Sequence, residues 1–242
     1  MKPNFKAMGD SAILVEFEKV ITPTVNAQVT EFAQLIKQKK IEGIIDMIPA
    51  FCTLLVNYDP RIVTYEALLT KLKALATVEM QVQKTTSKVF EIPVLYGGED
   101  GPDLAHIAKH ASLSEEEVIA IHSSTDYLIY MLGFMPGFPY LGGLDPKIHT
   151  PRLDHPRLKI PSGSVGIGGE QTGIYPLESP GGWQLLGRTP VKTYDPNRKD
   201  PILFGAGDYI RFVPITKEAY DEMVRSVANN EYQYINYEKE LT

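Results

Sequence analysis

Residues Gly168 to Trp183 read GGEQTGIYPLESPGGW and hold five glycines, two prolines and the only tryptophan of the chain. A run so rich in turn formers either bends short strands or lets backbone come close to a ligand. Its surroundings favour bent strands, since twelve of the 19 glycines lie between Gly133 and Gly187. From Tyr127 onward helical periodicity gives way to short runs, YLIYML, SVGIG, IYPL, WQLLG and YIRFVPI, separated by Gly and Pro turns. Many short strands with tight turns predict a sandwich or a closed barrel, and closure removes exposed sheet edges. The helical pattern returns only at TKEAYDEMVRSV.

The first 95 residues follow a different pattern. SAILVEFE reads as a strand, and TPTVNAQVTEFAQLIKQKK places Val25, Val29, Phe32, Leu35 and Ile36 along one helical face. Thr22 fits an N-cap, with Pro23 at the first helical position where its missing N–H costs nothing. IIDMIPA and FCTLLVNYD read as adjacent strands, TYEALLTKLKAL as a helix capped by Thr64, and KVFEIPVLY as a further strand. The predicted order is βαββαβ, a ferredoxin-like arrangement. After the turn-forming GGEDGPD come two helical stretches, DLAHIAKHA and SLSEEEVIAIHSS, the second opening on the capping-box pair Ser114 and Glu117. The fold class is therefore α+β. A boundary between Thr77 and Gly101 gives an N-terminal α/β domain at 1–85 and a C-terminal, mostly β domain at 86–242.

With 242 residues, 43% hydrophobic and 22% charged, the chain can bury a real core. A net charge of −6 argues against general nucleic-acid binding, which needs clustered Lys and Arg. Cys52 is the only cysteine and lies in an apolar run, so neither an internal disulfide nor a cysteine zinc site can form. The first residues lack a signal-type apolar core, and no segment approaches the roughly 20 apolar residues of a membrane span. Cytoplasmic residence, with no membrane partner, is the expectation.

Nucleotide motifs are missing: there is no GxxxxGKS/T, and Gly166-Ile167-Gly168 lacks the last glycine of GxGxxG. His106 and His110 share a helical spacing, but no glutamate follows His106 as in HExxH and no third ligand is indicated, so no metal site is assigned. Lys147, His149, Arg152, His155, Arg157 and Lys159 gather within thirteen residues, around the repeated Pro-Arg-Leu of PRLDHPRL. A proline-stiffened cluster of this kind can hold an anion, since Arg offers a planar fork and Lys a point charge; a solvated basic loop is the equal alternative. Ser162 is outside any GxSxG context, so hydrogen bonding to a ligand is its candidate role, not nucleophilic attack. Ser179, Gly181, Gly182 and Trp183 complete the candidate set: the glycines permit close approach, and the tryptophan is either a ligand platform or a core anchor. No catalytic residue can be assigned.

GDSAILVEF, GFMPGFPYLGGLD, PRLDHPRLKIPSGSVGIGGEQTGIYPLESPGGWQLLGRTP and LFGAGDYIRFVPI together closely resemble the KipI/PxpB family, also called allophanate hydrolase subunit 1 and related to carboxyltransferase subdomains C and D. The resemblance implies a cyclophilin-like β-barrel for the C-terminal domain. It implies a subunit of an ATP-dependent 5-oxoprolinase, a hydrolase that opens 5-oxoproline to L-glutamate with a sister PxpC-like subunit and a PxpA-like subunit, and that is inactive as a single chain. ATP is then the cofactor of the complex. Other members imply two alternatives, an inhibitor of a sporulation histidine kinase and a carboxyltransferase-type partner. On the oxoprolinase reading the SPGGW edge would border a site completed by a partner chain.

Overall fold

The computed structural model describes residues 3–77 and 87–239. The chain divides into two compact units, Met1–Thr85 and Thr86–Thr242. In the first, strands β1 (Asn4–Ala7) and β2 (Ala12–Glu16) form a hairpin, followed by helix α1 (Pro23–Lys39), β3 (Ile44–Pro49), β4 (Thr53–Tyr58) and α2 (Tyr65–Leu75). Thr22 Oγ1 accepts from the Val25 N–H and Thr64 Oγ1 from Ala67, each at 3.3 Å, so both expected caps are in place. Val29, Phe32 and Ile36 of α1 and Leu68 and Leu72 of α2 bury against Ile13, Val15, Leu54 and Val56.

The sheet order is β1-β2-β4-β3, with every pair antiparallel. Strands β2 and β3 therefore run parallel on either side of β4, joined across α1. The full ferredoxin-like order is not found among the described residues, and the sixth element, which the sequence leaves on either side of the boundary, decides it. KVFEIPVLY lies in β5 (Ser87–Tyr96) and belongs to the second unit, while the free edge beside β2 is held by β1, so the described order is ββαββα. The reason lies in burial: β5 is covered on both faces along most of its length, as a strand inside a closed sheet must be.

The second unit continues with α3 (Leu104–Ala111), α4 (Glu115–Ser123), β6 (Asp126–Leu132), β7 (Pro139–Gly142), a 3-10 turn at Pro146–Ile148, β8 (Arg157–Ile160), β9 (Ser164–Gly168), β10 (Gln171–Ile174), β11 (Ser179–Gly181), β12 (Gln184–Arg188), β13 (Tyr209–Pro214), α5 (Lys217–Ala228) and β14 (Asn236–Lys239). The capping box of α4 forms, Ser114 N–H donating to Glu117 Oε2 at 2.7 Å and Glu117 N–H to Ser114 Oγ at 3.2 Å. Seven strands in the order β12-β9-β10-β7-β6-β13-β5 close into a barrel through β12–β5 pairing at Gly187↔Tyr96 and Arg188↔Leu95. β14 adds to β5, and β8 with β11 forms a separate two-stranded ribbon. The barrel is filled by Ile92, Tyr127, Ile129, Leu141, Ile167 and Phe212, with Ile107 of α3 and Val118 of α4 in the same core. Among the described residues no helix is long and apolar enough to cross a membrane.

The imidazole of His122 sits fully inside this core. His122 stacks on Phe212 with ring centroids 4.5 Å apart, its Nδ1 2.7 Å from the Tyr96 hydroxyl and its Nε2 2.8 Å from Thr172 Oγ1. Thr172 gives its own proton to Gly166 O at 3.0 Å, so it accepts from Nε2–H, and Nδ1 accepts from Tyr96. The chain of donors fixes a neutral ring, and burial drives its pKa down to about 3.

Candidate functional site

The glycines of the opening stretch seat the tryptophan. A Cβ on Gly168 would collide with Trp183 Nε1 and one on Gly173 would lie 3.1 Å from its Cζ3, so the bare backbone of β9 and β10 forms a bed for the indole. Phe138 and Tyr175 meet it edge-on, with centroids at 5.6 and 6.1 Å, and Ile160 and Leu185 complete a second small core. Trp183 is left only 5% exposed, which makes it the anchor of this face and leaves little of the ring for a ligand. Gly181 also makes room for its neighbours, since a Cβ there would strike the Tyr175 hydroxyl at 2.6 Å and Ile160 Cδ1 at 2.8 Å. Gly182 O accepts from Leu153 N–H at 2.7 Å, tying the basic loop to the SPGGW edge.

The cations fall into distinct environments. Arg157, on β8, donates from Nη2 to Asp103 Oδ1 at 2.7 Å and from Nη1 to Trp183 O at 3.3 Å. Lys159 pairs with Glu178 at 3.1 Å, both largely in solvent, an arrangement that contributes about 0 to 1 kcal/mol. Arg152 is exposed and lies over Trp183, with its guanidinium carbon 5.9 Å from the ring centroid. Ser162 Oγ donates to Pro176 O at 2.7 Å, while Ser162 O receives Arg188 Nε at 2.9 Å, so this serine serves the turn it stands in. The buried Ser179 Oγ and Gln184 Oε1 have no hydrogen-bond partner, although Gln184 Nε2 donates to Pro151 O at 3.0 Å. Burial pushes the Tyr175 hydroxyl up to about 12 against the pull of Arg152 and Arg157, so it remains protonated.

Two features have no signal in the sequence motifs. Asp103, which the sequence shows only as part of a turn, is the partner of Arg157. The loop Gly133–Gly137, with Leu132 and Ile202, lines a shallow cavity of about 320 Å³ and holds Phe134 at φ +63 with 65% of its surface exposed. Phe134 meets Phe138 edge-on at 5.5 Å, so the cavity adjoins the tryptophan cluster. His106 and His110 stack on α3 with centroids 6.5 Å apart, and among the described residues no group of three His, Cys, Asp or Glu could hold a metal.

The second unit is thus a closed seven-stranded barrel that carries a glycine-seated tryptophan beside a basic loop. The chain belongs to the carboxyltransferase domain, subdomain C and D family, whose profile matches residues 3–204. It is 43% identical over 223 residues to the B subunit of 5-oxoprolinase from Bacillus subtilis (strain 168), covering 88% of this chain and 93% of that one. It is 43% identical over 208 residues to the B subunit of 5-oxoprolinase from Escherichia coli O157:H7, covering 86% and 94%. The solved structure of TTHA0988 matches with a TM-score of 0.74 at 38% identity, over 85% of this chain. This chain spans only 40% of TTHA0988.

Proposed function

We infer that this chain is the B subunit of a cytoplasmic 5-oxoprolinase, opening 5-oxoproline to L-glutamate with ATP and with PxpC-like and PxpA-like partner subunits. The observation that carries the reading is the 43% identity to the Bacillus subtilis B subunit across nearly the full length of both chains. A lactam amide is inert, and ring opening needs its oxygen turned into a leaving group, which phosphoryl transfer achieves by charge and positioning more than by a protein nucleophile. The described residues do not fit a nucleotide cradle on their own. The glycines that could admit phosphates carry Trp183 instead, and Arg157 and Lys159 already have carboxylates as partners. The barrel is then the cyclophilin-like half of a site that partner chains complete. What it offers is Arg152, exposed over the Trp183 ring near a protonated Tyr175.

Arg152→Ala in the assembled complex should weaken substrate use by about 10- to 150-fold, the loss of one charge-assisted contact of about 1.5 to 3 kcal/mol. Lys159→Ala should be nearly silent. Equal activity of both variants with assembly intact would remove Arg152 from the site. The family profile also names carboxyltransferases, which supports a second reading. The two separate on product: the complex given 5-oxoproline and ATP should release glutamate, whereas carboxyl transfer from a biotinylated carrier, with no glutamate formed, would favour the second.

A further inference from the structure

The SPGGWQLL segment is gripped at Trp183 and at Leu185 by one ion pair. Asp103 precedes α3 without capping it by its side chain. Its carboxylate instead accepts Leu185 N–H on Oδ2 at 2.7 Å and Arg157 Nη2 on Oδ1 at 2.7 Å, while its own N–H donates to Leu185 O at 3.1 Å. Arg157 then reaches Trp183 O with its other terminal nitrogen, at 3.3 Å. The pair thus holds the backbone on both sides of Gln184. It also ties the β8–β11 ribbon, which carries Arg157 and Ile160 and lies against Tyr175, to the body of the barrel. Both side chains are mostly buried, at 28% and 12% exposure, so water competes little for these bonds.

We propose that Asp103 and Arg157 are positioning residues that lock Trp183, and through it Arg152, in the orientation presented to substrate. Arg157 is then not a substrate contact: its fork is spent on Asp103 and the Trp183 carbonyl. Asp103→Asn is the discriminating change, because it keeps size but sets an NH2 against either Arg157 or the Leu185 N–H, whichever way the amide turns. Arg157→Lys is the second variant, retaining charge without the planar fork.

Trp183 is the only tryptophan, so its fluorescence reports this segment in the isolated chain, independent of any catalytic assignment. In chains that keep their far-UV circular dichroism, either variant should shift the emission to longer wavelength and raise quenching by acrylamide. The kinetic arm rests on the oxoprolinase reading: in the reconstituted complex kcat should fall about 10-fold with a smaller change in KM, the pattern of a misaligned group. Emission, quenching and kcat all unchanged in the folded variants would overturn the proposal. So would unchanged emission with lost assembly on size exclusion, which would make the pair an interface element. A wild-type complex that releases no glutamate would defeat the functional reading alone, and the fluorescence result would still decide on the clamp. If Asp103→Asn does not fold, Arg157→Lys decides alone by the same readouts.

Discussion

Trp183→Ala should destabilise the second unit by about 3 to 5 kcal/mol, the cost of deleting a large buried aromatic. The upper half of that range is expected because the void cannot collapse. Its floor is the backbone of Gly168 and Gly173, with no side chains to move inward, and its walls are the rings of Phe138 and Tyr175. The edge-on contacts with those rings are lost as well, at about 0.5 to 1.5 kcal/mol each. Urea unfolding followed by circular dichroism measures it, since the variant has no tryptophan fluorescence. Trp183→Phe should cost clearly less. A loss below about 1 kcal/mol for the alanine variant would mean that the indole is not the anchor of this face.

Acid should loosen the barrel before it protonates the carboxylates. His122 is neutral in the folded state, with its pKa held near 3 by burial, whereas an unfolded histidine titrates near 6.5. Its contribution is therefore fully present above about pH 6.5. Below that the unfolded chain takes up a proton that the folded chain refuses, so stability falls by about 1.4 kcal/mol per pH unit towards pH 3. Between pH 6.5 and 5 the expected loss is about 2 kcal/mol, in a window where most carboxylates stay ionised. His122→Phe keeps an aromatic ring beside Phe212 but leaves the Tyr96 hydroxyl without its acceptor, at about 1 to 3 kcal/mol near neutral pH. It should flatten the slope across that window. An equally steep slope in the variant would place the acid sensitivity elsewhere.

What is legible in the sequence depends on length and on local chemistry. The helices α1, α2 and α4 announce themselves through caps that bond within three residues, and the strands β2, β4, β6, β9, β12 and β13 through apolar runs. NFKA, PYLG, RLKI, SPG and NYEK do not read as strands because each is three or four residues long and partly exposed, so pairing partners define them more than composition does. IYPL illustrates the reverse error: only Ile174 belongs to β10, and the chain bends at Pro176 and Leu177. Barrel closure rests on two residue pairs between segments some ninety positions apart, a relation without a local signal. The candidate site shows the same limit. The basic loop is visible as a cluster of cations, but their carboxylate partners are not, since Asp103 lies 54 residues from Arg157. Nothing local tells which cation is committed to an acid and which lies open over Trp183.

If this chain supplies one part of a shared oxoprolinase site, no other measurement tests it as directly as an omission assay: glutamate released from 5-oxoproline and ATP by this chain alone, by the sister and third subunits without it, and by all three together. Release only from the complete mixture is the expected result. Sustained release by this chain alone, or undiminished release in its absence, would contradict a shared site.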